Sequence, residues 1–448
     1  MAELVDAPDS KSSSSNGVRV RFPLRPPLVN VFLKMKIAFF TDSYLDLTGG
    51  IVTSIDAQKE ALEKLGHTVY LFSTGYSRSK AERERLAKNH IFVVPTCKVF
   101  FRGLTPISRR PRIIEKWILK NYPEVKDFDV FHVHYESGCS IAGVRLGHQL
   151  GIPVVQTMHG REDMGLNGIF PFGMRSFIAM HLNRFHNLYL PHDINIKKDH
   201  DLAPTYARGR MWTLMVNHAN MADVVLTPSK HFKKKLESYG VKHDIKVVSN
   251  GINDELIPEK VNVRELKDGE TLKILWSSRF SAEKRGLKFL EALKDVDFPY
   301  ELHAFGTGNE LMLAKNYVKL NHMNVVFHGD AERAELFEYM KNSHLNVLAS
   351  YNFDNQPMTM LEAETTGLPI LICDPDMLEV TTKDGVFLAD GPEPEKITKA
   401  LNEIYAHPEM IKKMSEAMIK NRDEARQSRQ IERLIKIYEG AKNEKIHR

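Results

Sequence analysis

Phe353-Asp354-Asn355-Gln356-Pro357-Met358-Thr359-Met360-Leu361-Glu362-Ala363-Glu364-Thr365-Thr366-Gly367-Leu368-Pro369 reads as a loop running into a short helix and then a stop. The run Leu345 to Ala349 before it is strand-like. Pro357 suits a loop or the first helical turn, where a missing N–H costs little. Met358 to Thr365 is long enough for about two turns, and Gly367 followed by Pro369 is a C-terminal stop. Ile370-Leu371-Ile372-Cys373 then reads as the next buried strand. A strand, a polar turn and a helix whose first N–H groups are unpaired make a ready site for an anion, typically a phosphate. Glu362, one turn inside, repels such an anion. It is better suited to accepting hydrogen bonds from hydroxyl groups beside it.

This stretch resembles the donor-sugar signature of family 4 retaining glycosyltransferases, in which two glutamates flank seven residues and precede a small-residue helix ending Gly-x-Pro. Glu362 fills the second position here, and Asp354 stands at the first, equal in charge and shorter by one methylene. An ordinary strand-turn-helix of an α/β domain is the plainer reading, and the order of the other motifs favours the resemblance.

Length and composition fit that scale. A chain of 448 residues, 42% hydrophobic and 27% charged, is expected to form two α/β domains. Cys97, Cys139 and Cys373 lie far apart without a CxxC, which suggests neither a disulfide framework nor a zinc site and fits a reducing cytoplasm. No apolar run approaches the roughly 18 residues needed to span a bilayer. The formal charge is 62 − 57 = +5, and the first 34 residues contribute 5 − 3 = +2 of it. The remaining +3 is too mild and dispersed for a nucleic-acid partner. Met1 to Lys34, with its serine run Ser12 to Ser15, lacks the apolar core of a signal peptide. It resembles the conceptual translation of a frame opened inside a transfer-RNA gene, or else a disordered extension. The folded chain is expected to begin at Met35.

In the N-terminal half, Lys36 to Thr41 reads as a strand, followed by Asp42-Ser43-Tyr44 and Thr48-Gly49-Gly50. A helix from Ile51 to Leu65 and a strand from Val69 to Ser73 complete a doubly wound unit. Gly49-Gly50 lets backbone approach a phosphate or sugar, and equally suits a simple tight turn; G-x-G-x-x-G is absent, so this is no dinucleotide fingerprint. Asp129 to His134 and Gly151 to Gly160 are two further strands. His132 and His134 read as hydrogen-bonded core groups. His159, at the carboxyl edge where ligands bind in open sheets, matches the family histidine that faces the transferred sugar. Between Phe100 and Lys126 basic residues (Arg102, Arg109, Arg110, Arg112, Lys116, Lys120) alternate with apolar ones. The stripe Ile113, Ile114, Trp117 and Ile118 suits packing on the sheet, and the sharper alternative is a basic amphipathic surface on anionic lipid. Arg161 to Met221, which includes His181, His186, His192, His200 and His218, is expected to wall the acceptor cleft.

In the C-terminal half, Leu272 to Ser277 opens a second sheet after the polar stretch Asn253 to Thr271. Arg279 and Lys284, five apart on the loop that follows, can converge on one anion; the family's Arg-x4-Lys pair for the donor diphosphate occupies this slot. Glu283 is expected on the solvent side. Glu301 to Gly308 and Val325 to Gly329 resemble the family's walls around the base. Asp374-Pro375-Asp376 is formally a D-x-D, and its place after a late strand argues against a metal site. Helices from Pro394 to Ala406 and from Pro408 to about Gln427, then Arg429 to Glu439, close the chain.

The resemblance implies an α/β chain of GT-B fold: two Rossmann-like doubly wound domains facing a central cleft, with a C-terminal helix crossing back. The expected division is an extension (1–34), an N-terminal acceptor domain (35–252), a linker (253–271), a C-terminal nucleotide-sugar domain (272–427) and a returning helix and tail (428–448). It implies a metal-independent, retaining hexosyltransferase without a cofactor, using a UDP- or GDP-hexose donor. The acceptor would be a lipid such as diacylglycerol or a cell-envelope glycan. The enzyme would be cytoplasmic, with peripheral contact on the inner face of the cell membrane. His159, Asp354, Arg279 and Lys284 are the expected catalytic residues. Gly49, Gly50, Met358, Thr359 and Glu362 join Arg279 and Lys284 in holding the donor. Two alternatives share the fold: a non-hydrolysing sugar-nucleotide epimerase, and a non-catalytic binding module in which Asp354 marks decay.

Overall fold

The computed structural model describes residues 34–42, 44–45, 49–76, 78–97, 107–170, 172–198 and 202–446. The extension up to residue 33, Ser43, Thr48, Phe100, Phe101, Arg102 and His200 lie outside the described residues.

The first half runs β1 (Lys36–Thr41), α1 (Gly50–Lys64), β2 (Thr68–Ser73), α2 (Lys80–Lys88), β3 (Ile91–Val93), α3 (Pro111–Asn121), β4 (Val130–Val133) and α4 (Gly138–Leu150). It continues with β5 (Val154–Thr157), α5 (Glu162–Ile169), α6 (Phe172–Asn187), α7 (Tyr206–Ala219), β6 (Val224–Thr227), α8 (Lys230–Ser238) and β7 (Lys246–Val247). The second half runs β8 (Leu272–Ser277), α9 (Gly286–Lys294), β9 (Tyr300–Phe305), α10 (Leu311–Leu320), β10 (Val325–Gly329), α11 (Arg333–Asn342) and β11 (Leu345–Leu348). Then come α12 (Met358–Thr365), β12 (Ile370–Ile372), β13 (Val386–Leu388), α13 (Pro394–Ala406), α14 (Glu409–Asn421) and α15 (Gln427–Ile446).

Two parallel sheets result, ordered β3-β2-β1-β4-β5-β6-β7 and β10-β9-β8-β11-β12-β13. Each has helices on both faces, and the central strands are buried without alternation: Ile37 to Phe40 in β1 and Leu345 to Leu348 in β11, the polar Asn346 included. Phe40, Phe72, Phe131 and Trp212 sit in one core, and Trp276, Phe289, Leu293 and Leu401 in the other. Both sheets reverse strand order once, between β1 and β4 and between β8 and β11. Loops leaving those strands diverge to opposite faces and leave a crevice at the carboxyl edge.

Local chemistry sets the helix ends. Ser229 accepts the Phe232 N–H at the start of α8, and the buried Asp42 carboxylate accepts the Cys139 and Ser140 N–H groups at the start of α4 (2.8 and 3.1 Å). The expected helix Pro408–Gln427 breaks at Arg422, whose guanidinium turns back to the Pro258 carbonyl. The final helix is longer than its apolar pattern suggested, because polar residues of its last turns pair with the first half. Ile252 and Gln427 meet there: the Ile252 N–H donates to the Ala425 carbonyl and the Gln427 N–H to the Ile252 carbonyl, both at 2.8 Å. From that crossing α15 runs along α1, β4 and β5, where Lys442 pairs with Asp129 (2.6 Å) and Lys445 with Asp223 (3.0 Å). The stretch 253–271 is packed rather than loose. Arg264 is buried and donates to the Thr366 carbonyl (2.8 Å) at the end of α12.

Candidate active site

The loop after β8 and the loop between β11 and α12 meet at the switch point of the second sheet. Lys284 Nζ donates to Asp354 Oδ1 at 2.6 Å and sits 5.2 Å from the centre of the Phe353 ring. The other Asp354 oxygen accepts from Ser350 Oγ at 2.5 Å. Both charges are nearly buried, so each depends on the other until a ligand arrives. Arg279 remains exposed and contacts Glu283 at 3.3 Å. Glu283 itself is not on the solvent side: its side chain is 7% exposed and accepts from Ser281 Oγ at 2.6 Å. Its Oε1 takes the Ser281 hydroxyl and one Arg279 nitrogen, and its Oε2 is buried without a partner.

At the mouth of α12, the N-cap is Pro357 without a side-chain cap, and the Met358 and Thr359 N–H groups precede the first bond of the turn, from the Met360 N–H to the Pro357 carbonyl (3.1 Å). Thr359 Oγ1 is buried with no hydrogen-bond partner. Opposite lies the Gly49-Gly50 turn. A Cβ on Gly50 would stand 3.4 Å from Met358 Cγ, so the two turns are in near contact and any larger residue would narrow the gap. Glu362, buried, accepts from Arg333, whose other nitrogen donates to Thr53 on α1. One guanidinium thus bridges the second-sheet glutamate and the first-sheet helix.

The first sheet contributes the facing wall. His159 follows β5, with Nε2 at 3.1 Å from His134 Nδ1 and its carbonyl accepting from Asn355 Nδ2 at 2.9 Å. Burial lowers the His159 pKa to about 4, so the ring is neutral near pH 7. His132 is a core group as expected, held between Tyr438 OH (2.6 Å) and Thr157 Oγ1 (2.7 Å). Arg161 pairs with the buried Asp163 and reaches Asn352, donating to its carbonyl and to Oδ1 at 3.0 Å. Asn352 is held at φ +49°, a strain the Arg161 fork and an N–H bond to Asp374 (2.6 Å) offset.

The D-x-D carboxylates are committed elsewhere. Asp374 accepts from the N–H groups of Asn352 and Asp376, and Asp376 pairs with Lys235 at 2.8 Å. Among the described residues no cluster of three or more His, Cys, Asp or Glu is arranged to hold a metal ion.

Sequence reading missed four residues at this site. Tyr135 OH donates to Glu162 Oε2 at 2.8 Å, beside Glu136, which is 6% exposed. Burial raises both carboxyl pKa values, Glu136 furthest, and the charge of Arg279 across the cleft draws that of Glu162 back. Glu162 lay two residues beyond Gly160 and was visible in principle. Arg333 gave no signal, because it starts an ordinary helix and its partner Thr53 is 280 residues away.

Comparison with known proteins now adds the family. The model for Glycosyltransferase Family 4 matches residues 48–256, and that for Glycosyl transferases group 1 matches residues 259–422. The chain belongs to glycosyltransferase family 4. This family 4 chain is 26% identical over 353 residues to alpha-monoglucosyldiacylglycerol synthase of Streptococcus pneumoniae, covering 75% of this chain and 70% of the relative. It is 24% identical over 404 residues to the enzyme of the same name from Acholeplasma laidlawii, covering 85% and 91%. Among solved structures, sucrose-phosphate synthase of Thermosynechococcus elongatus superposes with a TM-score of 0.65 at 15% identity over 91% of this chain and 99% of that one. Anabaena HepE in complex with UDP-glucose gives 0.62 at 12% identity over 91% and 100%. The fold is therefore GT-B, two α/β domains built as expected, and the chain is a glycosyltransferase.

Proposed function

We propose that this enzyme moves a hexose from a UDP- or GDP-sugar to a hydroxyl of a membrane glycerolipid or an envelope glycan, with retention of anomeric configuration and without a metal. The observation that carries the reading is the convergence of Lys284, the mouth of α12 and the Gly49-Gly50 turn at one crevice. Negative charge develops on the departing diphosphate as the glycosidic bond breaks, and donors already in place there stabilise it most. Lys284 shifts from Asp354 to the phosphate, with Arg279 as second cation. Asp354, released, faces the sugar ring as positive charge grows on it. Glu362 holds donor hydroxyls. The leaving phosphate oxygen takes the acceptor proton, since His159 is neutral and poorly basic. The curated relatives named for monoglucosyldiacylglycerol support a lipid acceptor, and HepE with UDP-glucose supports a UDP-sugar.

The surface fits that acceptor. No helix among the described residues is long and apolar enough to cross a membrane. On α6, however, Met174, Phe177 (61% exposed) and Met180 stand out, and Leu188 just beyond is 68% exposed. The outer face of α3 carries Arg112, Ile113, Lys116 and Lys120. Ile113 is on that outer face, while Ile114 and Ile118 pack inward. Arg145 ties the two regions, donating to Glu115 on α3 (2.6 Å) and to the Tyr189 carbonyl after α6 (3.1 Å). Exposed apolar side chains and exposed cations on these two helices suit an anionic bilayer surface, and we assign peripheral membrane contact to α3 and α6.

The test is a transfer assay with UDP- and GDP-hexoses, diacylglycerol in anionic vesicles, and the anomer of the product read by NMR. An α-linked product from an α-linked donor, formed equally in EDTA, is the expected result. An inverted product, or activity abolished by EDTA and restored by manganese, overturns the mechanism. Epimerised donor without transfer overturns the reaction class.

A further inference from the structure

His159 and His134 share one hydrogen bond, 3.1 Å between Nε2 of the first and Nδ1 of the second, with the two ring planes 24° apart. Burial holds both rings neutral near pH 7, so each carries one proton and only one of them donates in this bond. Two arrangements are possible. If His159 donates from Nε2, the His134 proton must sit on its own Nε2. That atom is buried and has no hydrogen-bond partner. The Phe39 ring, edge-on at 4.7 Å, offers at most a weak N–H···π contact. If His134 donates from Nδ1, its Nε2 keeps only an unused lone pair. A buried orphan N–H is the rarer and costlier defect.

We propose that His134 is a positioning residue for the transfer reaction: its Nδ1–H donates to His159 Nε2 and fixes the His159 proton on Nδ1, the nitrogen left facing the cleft. His134 covers the Nε2 edge, and Nδ1 makes no bond to any described residue, so the exposed edge of the half-buried ring is the one bearing this proton. His159 then presents a hydrogen-bond donor to a hydroxyl oxygen of the transferred sugar, and is unavailable as a proton acceptor at either nitrogen. The second bond from His159, its carbonyl to Asn355, ties the ring's backbone to the loop carrying Asp354. The catalytic part of this inference rests on the proposed glycosyl transfer; the tautomer does not.

The two are separable by experiment. Long-range proton–nitrogen correlation spectra of the full chain labelled with 15N-histidine, at pH 7 and without substrates, distinguish Nδ1–H from Nε2–H imidazole; His159→Gln identifies the His159 signals. We expect Nδ1–H in the wild type. His134→Phe keeps a ring and removes the donor, so the His159 Nε2 resonance should move to that of an imidazole nitrogen that accepts no hydrogen bond. Its turnover should fall about tenfold or more while KM for the donor changes less. His134→Asn, whose amide nitrogen donates from near the original Nδ1, should restore that resonance and most of the turnover. A wild-type His159 protonated on Nε2 overturns the proposal whether or not any variant folds. Equal losses in the Phe and Asn variants would reduce His134 to a packing role. Absence of glycosyl transfer by the wild type leaves the tautomer readable and refutes only the reaction.

Discussion

At the residue scale the proposed chemistry turns on one exchange of partners. Lys284 and Asp354 neutralise each other at 2.6 Å, and in the proposed mechanism each gains a different partner when a diphosphate and a polarised sugar enter. Removing either strands the other in a nearly buried position. Lys284→Ala should lower turnover by about 100-fold, as for loss of one preorganised electrostatic donor, and steady-state kinetics measure it directly. Asp354→Asn should reduce turnover far more than donor affinity, because its carboxylate is needed chiefly as charge grows on the ring; wild-type kinetics would show that the position takes no part. Ser350 anchors the second Asp354 oxygen at 2.5 Å. Glu362→Gln should instead raise the donor KM by about tenfold, the usual scale for hydrogen bonds to a charged group. It would also loosen Arg333 from the cleft.

At the element scale, α12 and α7 show how backbone and burial constrain the site. The stop after α12 requires Gly367: its φ is +69°, and a Cβ there would lie 2.6 Å from Ile419 and 2.8 Å from Val261. Gly367→Ala should destabilise by about 1–3 kcal/mol through strain and overpacking, read as a lower midpoint in urea. The α6–α7 pair is held by a chain of three imidazoles, His192 to His186 (2.7 Å) and His186 to His218 (2.9 Å). Burial, with the His192 ring adding, depresses the His218 pKa to about 3. Between that value and about 6.5 the unfolded chain binds a proton that the folded one does not. The stability due to neutral His218 is therefore complete above about pH 6.5 and is lost as pH falls. From pH 7 to pH 5 this amounts to at most about 2 kcal/mol. His218→Gln should show a smaller drop in Tm over that interval than the wild type; an equal or larger drop would contradict the assignment.

At the scale of the whole molecule, α15 ties the halves together. Ile431, Leu434, Ile435 and Tyr438 are buried against α1, β4 and β5, and Ile435→Ala should cost about 2–5 kcal/mol in chemical unfolding. The proposed membrane face is independent of the chemistry. Phe177→Glu should weaken sedimentation with anionic vesicles severalfold, since a carboxylate replaces apolar area on a surface facing like charge. Its turnover on a water-soluble acceptor should stay unchanged. Unaltered vesicle binding would remove α6 from that face.

The sequence alone determined many of the elements and several of their ends. Lys36–Thr41, Leu272–Ser277, Val325–Gly329 and Met358–Thr365 were legible because apolar runs, Pro357 and Gly367 act within a few residues of themselves. It determined the family too, because the spacing of Arg279, Lys284, Asp354 and Glu362 is local to two loops. Only the tertiary structure decided what meets across the crevice: Arg333 with Thr53, Arg161 with Asn352, and Gly50 with Met358. It also decided that Glu162 meets Tyr135 and the charge of Arg279, that Glu136 lies buried beside Glu162, and that His134 Nε2 is left without a partner. Those outcomes depend on pairings between residues far apart in the chain. Such pairings arise when two separately folded sheets are closed on each other by α15, and no periodicity or composition within one segment records them.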